Sequence, residues 1–430
     1  MQGAGRPRRV VVTGWGVVSP LGPTAQSTFQ AAADGRSGIR ALDAFDPTGL
    51  PCRIGGQVAD AGVGPPDPAL DPPARLLSRG MRFMMVAAAE AAGQAALSHA
   101  ADPARIATVL GSHGENPAMA DVLRRHRYTN GAGQWDMAGL ARERAGDPFA
   151  LLRRKGDVAS ALLAARFGLR GPNLSICSAC AAGAQAVGEA YRLIREGRAD
   201  AALAGGCEST LNFVGFVGFQ LLKAMPEKYK SPETASRPFD RRRCGFVMSE
   251  GAGALVLETL EGARARGAII LGEVLGYGDS ADAYRITDTH PEAEGAILAM
   301  RGALDDAGLS ADAVEYVNAH GTSTALNDVT ETRAIKAVLG ERARTVPVSS
   351  NKSMLGHTIG AAGAIEAVLT LMGMRVGLLL PTINYEYPDP KCDLDYVPNL
   401  ARPLAHRVSL SNSFGFGGQN ACLCLGRGDD

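Results

Sequence analysis

The sequence predicts an α/β protein assembled from two similar halves, and three observations lead there. Short apolar runs alternate with Ala-rich segments of helical spacing along most of the chain. The order strand, loop, small-residue helix occurs around Cys180 and again around His357. The composition, 430 residues with 46% hydrophobic and 20% charged side chains, is that of a soluble globular chain with a large core.

The elements follow in order. Residues 9–13, Arg-Val-Val-Val-Thr, are mostly β-branched and read as a strand, and 80–97 as an Ala-rich buried helix. Residues 106–110 form a strand stopped at Gly111. The stretch 114–156 carries Arg, Asn, Gly and Asp without strand character and reads as an excursion from the sheet. The helix opened at Cys180 keeps helical spacing through Ala184, Val187, Tyr191 and Ile194 and closes at Gly197. Strands at 201–204 and 253–258, a helix at 262–266 and a strand at 269–275 come next. The second half repeats the pattern: a strand at 346–350, then Lys352 and His357, then an Ala/Gly-rich helix from Gly360. The division falls at 265/266, giving halves 1–265 and 266–430 whose functional loops meet between them.

Composition also excludes functions. Acidic and basic side chains are equal in number, 44 each, which argues against general nucleic-acid binding. Eight cysteines without framework spacing point to a reducing compartment. The N-terminus is basic, but its apolar run is too short for a signal-peptide core. No apolar stretch is expected to span a bilayer, so the protein is expected to be cytoplasmic, with no membrane partner.

The most informative run is Asn-Leu-Ser-Ile-Cys-Ser-Ala-Cys-Ala-Ala-Gly at 173–183. It reads as a strand, a sharp turn and a helix start, with Cys180 at the turn. Unpaired N–H groups and the helix dipole favour a thiolate there, hence a nucleophile. Two other readings compete. Cys177 and Cys180 have the spacing of a redox pair or half a zinc site, but only Cys422 and Cys424 lie close enough to offer a second pair. Those two alternate with apolar residues, as in a buried strand, and burial is the commonest fate of cysteine. No metal is expected.

The chain resembles the β-ketoacyl-acyl carrier protein synthases of the KAS I/II type over nearly its whole length. The matching runs are Val-Val-Val-Thr-Gly-Trp-Gly-Val-Val-Ser-Pro-Leu-Gly at 10–22, Ser-Ala-Cys-Ala-Ala-Gly at 178–183 and Ala-Ser-Arg-Pro-Phe-Asp at 235–240. Further runs are Glu-Gly-Ala-Gly-Ala-Leu-Val-Leu-Glu at 250–258, Tyr-Val-Asn-Ala-His-Gly-Thr-Ser-Thr at 316–324 and Asn-Lys-Ser-Met-Leu-Gly-His at 351–357. The last is Asn-Ser-Phe-Gly-Phe-Gly-Gly at 412–418.

The resemblance implies a thiolase fold in five α-β-α-β-α layers, usually dimeric, and decarboxylative condensation of a malonyl thioester with an acyl group on Cys180. In it His320 and His357 stabilise the charge that decarboxylation leaves on the thioester oxygen. The N–H groups of Cys180 and Phe416 form a second oxyanion hole. Lys352 is the buried lysine, with Glu331 as its matching partner. Thr322 and Thr324 hold the pantetheine arm, Phe414 and Gly417 border the substrate, and Phe416 gates the acyl pocket. It implies no cofactor beyond phosphopantetheine, which the acyl carrier protein carries. The partners implied are that carrier and a second copy or a chain-length-factor-like subunit.

Arg75, Arg79, Arg82, Arg124 and Arg125 are candidate docking residues for an acidic carrier. The stretch 113–155 is unlike that of housekeeping enzymes, which points to a modified or polyunsaturated acyl chain in a freestanding enzyme of fatty acid or type II polyketide assembly. A thiolase with Cys422 or Cys424 as acid/base, and a non-catalytic chain-length subunit, are the rival readings.

Overall fold

The computed structural model describes residues 7–60, 76–130, 132–142 and 149–428. Ten strands form one continuous sheet: β1 Val10–Val18, β2 Ile106–Gly111, β3 Asn173–Ile176, β4 Ala201–Ser209, β5 Glu250–Thr259, β6 Gly272–Ala281, β7 Tyr316–Asn318, β8 Val348–Ser349, β9 Val408–Phe414 and β10 Gln419–Gly426. Their order is β8-β7-β9-β10-β6-β1-β5-β4-β2-β3. The first five pair as β1-β5-β4-β2-β3 and the last five as β6-β10-β9-β7-β8, so adding five to each label turns one half into the other. The senses repeat too. β1/β5 and β5/β4 are antiparallel while β4/β2 and β2/β3 are parallel, as are their counterparts. The halves join where Val10, Val11 and Val12 of β1 face Val274, Glu273 and Gly272 of β6.

The layers follow from burial. Helices α1 Arg79–Ala95 and α2 Gly156–Phe167 bury Met84, Ala87, Ala91 and Leu163 against the outer face of the first half. Helix α3 Ala182–Arg195 and a later partner lie between the half-sheets. Helix α4 is Phe213–Leu221. Helices α5 Glu294–Ala307 and α6 Ala325–Leu339 cover the outer face of the second half. Helix α7 Ala362–Val376 is the central partner of α3.

Small residues are required where the central helices meet. A Cβ on Gly183 would lie 2.7 Å from the Gly360 carbonyl oxygen, and one on Gly363 would lie 2.7 Å from the Ala184 backbone nitrogen. Each helix is entered through one 3₁₀ turn, Ala179–Ala181 and Ile359–Ala361. Each turn begins on a non-glycine residue with positive φ, Ala179 at 48° and Ile359 at 47°.

Several boundaries shift from the sequence reading. β1 runs on to Val18, β4 to Ser209 and β6 to Ala281, because neighbouring strands pair with them that far. β6 begins only at Gly272, with Ile269 left 72% exposed. Cys180 lies in the turn Ala179–Ala181 directly before α3, at the turn where the sequence puts it. The excursion holds three short helical segments, Met119–His126, Met137–Arg142 and Ala150–Arg153. One expectation is corrected: residues Ile359–Val376 form a helix long and apolar enough to cross a membrane. It is 89% buried inside the molecule, because it is the central helix of a two-sided core.

Candidate active site

Both central helix entrances open onto one site. The turn before α3 carries Cys180, whose Sγ lies 3.0 Å from Nε2 of His357 on the loop before α7. His320 follows β7, and its ring meets that of His357 edge to face at 5.3 Å between centroids. The sulfur and one ring nitrogen of each histidine all lie within 4.8 Å of one another. All three side chains are buried.

Hydrogen bonding fixes one tautomer. The backbone N–H of Ile359 donates to His357 Nδ1 at 3.3 Å, so the proton of the neutral ring sits on Nε2, facing Cys180. Burial pushes both histidines well below the ordinary imidazole value, and the Lys352 ammonium adds to it. They are neutral donors at neutral pH.

Burial raises the Cys180 thiol to about 11, against the lowering expected from its helix entrance. The N–H groups of Phe416 and Cys180 and the charge of Lys352 act in the lowering direction but do not overcome desolvation. The helix terminus is therefore present, yet the resting Cys180 side chain is a thiol. Those two N–H groups act on the same sulfur. A Cβ at Gly415 would lie 3.3 Å from the Cys180 nitrogen, which explains the glycine there.

The Lys352–Glu331 pairing is corrected. Lys352 Nζ lies 2.5 Å from Glu366 Oε1, and both side chains are at most 2% exposed. Lys352 leads the loop into α7 and Glu366 is one turn into that helix, so one segment supplies both charges. Glu331, on α6, serves His320 instead. Its two carboxylate oxygens accept the backbone N–H groups of His320 and Gly321, each at 2.7 Å, and Asn412 donates at 3.1 Å. Burial raises its carboxyl to about 7.

Two cavities meet at Cys180 and Phe416. The smaller, about 40 Å³, is lined by His320, His357, Thr322, Thr324 and Phe414. The larger, about 600 Å³, is walled by Val214, Phe219, Ile359 and Gly417 among others. Phe416 stands between them and tilts against Phe219 and Phe246. Gly417 holds φ at 90° and its N–H donates to the Ile286 carbonyl at 2.6 Å. Thr324 also has a structural task, capping α6 by accepting from Asn327 N.

The expected docking residues separate. Arg79 is committed to the buried Glu250 carboxylate, the Val58 carbonyl and Asp60, so it is withdrawn from docking. Arg82 is half-buried on α1 and Arg124 is exposed on Met119–His126. Arg125 lies on the same helix, and Arg75 lies outside the described residues. Cys177 is exposed and all eight cysteines are free. Cys422 and Cys424 are fully buried in the core of the second half's outer layer, away from Cys180, which removes the acid/base role of the thiolase reading.

The sequence reading missed Glu366, Phe246, Thr289 and Asn327. Phe246 presents its edge to His357 at 5.4 Å. Thr289 and Asn327 complete the smaller cavity. Of these, Glu366 carried a legible signal: a lone carboxylate in the otherwise apolar run 359–374 requires a partner.

Comparison with known proteins agrees with this geometry. Residues 7–263 match the N-terminal domain of β-ketoacyl synthase and 271–386 the C-terminal domain. The chain belongs to the β-ketoacyl synthase family, a family of condensing acyltransferases with the thiolase fold. It is 42% identical over 420 residues to 3-oxoacyl-[acyl-carrier-protein] synthase 2 of Synechocystis, covering 97% of this chain and 98% of that one. It is 40% identical over 425 residues to the protein of that name from Coxiella burnetii, covering 98% and 99%. Among solved structures, a type II polyketide ketosynthase in complex with its acyl-carrier protein and bound to a hexaketide is 33% identical, with a TM-score of 0.86 over 99% of this chain and all of that one. The ishigamide ketosynthase/chain length factor is 35% identical, with a TM-score of 0.84 over 98% and 100%.

Proposed function

We propose that this chain elongates acyl chains by decarboxylative condensation, with Cys180 as acyl carrier and malonyl-acyl carrier protein as the extender. An acyl thioester bound through the smaller cavity meets the Cys180 sulfur. The N–H groups of Cys180 and Phe416 receive the charge of the tetrahedral intermediate, and the Cys180 proton leaves with the departing carrier thiol. The acyl chain then occupies the larger cavity behind Phe416. A malonyl thioester next places its carbonyl oxygen against His320 and His357, whose neutral N–H groups stabilise the enolate as CO₂ departs. The carbanion attacks the acyl carbonyl and the product leaves on its carrier. Glu331 and Lys352 are positioning residues in this scheme, and Thr322, Thr324, Phe414 and Gly417 shape the two approaches.

The single observation behind this reading is the 3.0 Å contact between Cys180 Sγ and the Nε2–H of His357, at the meeting of the two cavities. The partner is a phosphopantetheine-bearing acidic carrier approached through Arg82 and Arg124, and the enzyme needs no cofactor of its own. A second copy or a chain-length-factor-like subunit pairs with it, and the pathway is fatty acid or type II polyketide assembly. The halves divide at 265/266, with the nucleophile in the first and both histidines in the second. The test is intact mass spectrometry after exposure to acyl-carrier thioesters, followed by peptide mapping. An acyl adduct on Cys180 that is discharged as a β-ketoacyl product on adding malonyl-carrier supports the reading; an adduct on Cys177, or no discharge, refutes it.

A further inference from the structure

Segments 228–244 and 386–387 enclose a cleft of about 280 Å³ that shares no residue with either cavity at Cys180. Lys228, Lys230, Arg237 and Arg242 line it, and Glu386 is the one carboxylate among its lining residues. Arg237 is divided between Glu386 at 3.3 Å and the buried Asp240 at 3.8 Å. Lys228, Lys230 and Arg242 make no ion pair among the described residues. Like charges gathered in one recess repel, and an anion placed among them relieves that repulsion.

The cleft is held in shape from beneath. The fully buried Asp240 carboxylate accepts the backbone N–H groups of Arg242, Glu386 and Tyr387 at 2.7, 2.8 and 2.7 Å, so one group ties the two walls together. The Arg242 guanidinium lies over the Tyr387 ring, 3.4 Å from its centroid, which sets its plane before a ligand arrives. Cys244 Sγ donates to the Lys228 carbonyl at 3.2 Å and holds the lysine wall against the same loop.

Resting on the condensing reading above for its source, we propose that this cleft binds a phosphate group. A terminal phosphate carries more negative charge than a carboxylate and offers three oxygens, which suits a planar guanidinium fork flanked by two ammonium groups. Two sources supply one: the pantetheine arm, which ends in a phosphate, and a free phosphorylated metabolite. Position favours the arm. The N–H of Arg237 donates to Ser323 Oγ and the N–H of Gly245 to the Ser323 carbonyl, each at 3.0 Å. Ser323 lies between Thr322 and Thr324, which line the smaller cavity together with Phe246, the residue after Gly245. Cleft and cavity are thus served by the same stretches of chain, and an arm laid along the two threonines ends close to the cations.

Cys244, free and exposed on the cleft wall, reports occupancy, with the exposed Cys177 as internal reference. The intact protein is alkylated with N-ethylmaleimide in chloride, acetate or inorganic phosphate at equal ionic strength, and each cysteine is followed by peptide mapping. Phosphate at about ten times its Kd is expected to slow Cys244 by about tenfold and to leave Cys177 unchanged. Lys228→Gln with Arg242→Gln is expected to abolish the protection. Equal Cys244 rates in the three salts, or protection that survives in the double variant, overturns the proposal. Loading of Cys180 from acyl-phosphopantetheine and acyl-pantetheine thioesters then separates the sources. An advantage of the phosphorylated donor that the double variant loses supports the site with the arm as its ligand; protection of Cys244 without that advantage supports it with a free metabolite. The Cys244 readout involves no acyl chemistry, so failure of malonyl-dependent discharge overturns the condensing reading and leaves the phosphate site standing.

Discussion

Removing the Lys352 ammonium separates what it does for the fold from what it does for the site. In Lys352→Met the Glu366 carboxylate remains buried without its partner at 2.5 Å, on a helix that is almost wholly inside the protein. Breaking a pair buried to this degree costs about 3–5 kcal/mol, a large share of the roughly 5–15 kcal/mol that holds a protein folded. Lys352→Met with Glu366→Leu removes both charges and fills the space with apolar atoms, so stability is expected to return to within about 1–2 kcal/mol of the parent. Denaturant unfolding of the four proteins gives the coupling energy.

Activity is expected to stay low in the double variant, because the charge beside the histidines and Cys180 is still missing. That charge disfavours protonation of both rings and favours ionisation of the thiol. Without it the acid limb of malonyl decarboxylation moves to higher pH and Cys180 acylation slows. Losses that simply add in the double variant would refute the pairing. An unmoved acid limb would refute the electrostatic role. Lys352→Met combined with Glu331→Gln is the control, expected to show little coupling because Glu331 bonds to His320 and Gly321 instead.

His320→Ala and His357→Ala should each lower malonyl decarboxylation by about 10² or more, as loss of one oxyanion donor does, while Cys180 still takes up acyl groups; radiolabelled CO₂ release beside intact mass measures both. The same histidines leave a mark on stability. The native state keeps them neutral below pH 6.5 while the unfolded chain protonates them, so the unfolded state binds more protons and stability falls as pH falls through that value. His320→Asn should therefore flatten the stability slope below pH 6.5 by about 1.4 kcal/mol per pH unit, read by denaturant titration at several pH values; an unchanged slope contradicts the neutral assignment. Gly417→Ala meets no atom closer than 3.6 Å, but its φ of 90° strains any side chain. It is expected to slow acyl loading of Cys180 in stopped-flow traces while decarboxylation is preserved.

The turns were legible because they use residues in ways composition alone does not. Cys180 next to two alanines and a glycine, and His357 ahead of Gly360, mark the two helix entrances, and the structure places both at 3₁₀ turns. Ionisation was not legible. The helix terminus at Cys180 argued for a thiolate, but the amount of apolar material packed around the sulfur comes from segments far away in sequence, including Phe246 and Phe416, and it dominates. The partner of Lys352 was misread for a related reason. Glu331 is buried and acidic as expected, but its carboxylate is used by the backbone of the His320 loop. Only the three-dimensional run from Lys352 into α7 shows that Glu366, fourteen residues on, faces back to the ammonium.

Duplication explains why the chemistry sits where it does. Two copies of one unit meet back to back through α3 and α7, and the close approach of Gly183 to Gly360 and Gly363 to Ala184 fixes their distance. Each copy contributes one strained helix entrance to the shared centre, so neither turn needs to be catalytically complete. The first copy carries Cys180 at its entrance. At the corresponding place the second has Gly360, which leaves the ground clear for Glu208 and His113 to lie against it and moves its contribution upstream to His357. A side chain at Gly360 would therefore be felt twice, by the central helix crossing and by the Glu208–His113 pair that lines the larger cavity. That double constraint, more than the identity of any single side chain, ties the larger cavity of this protein to the symmetry of its fold.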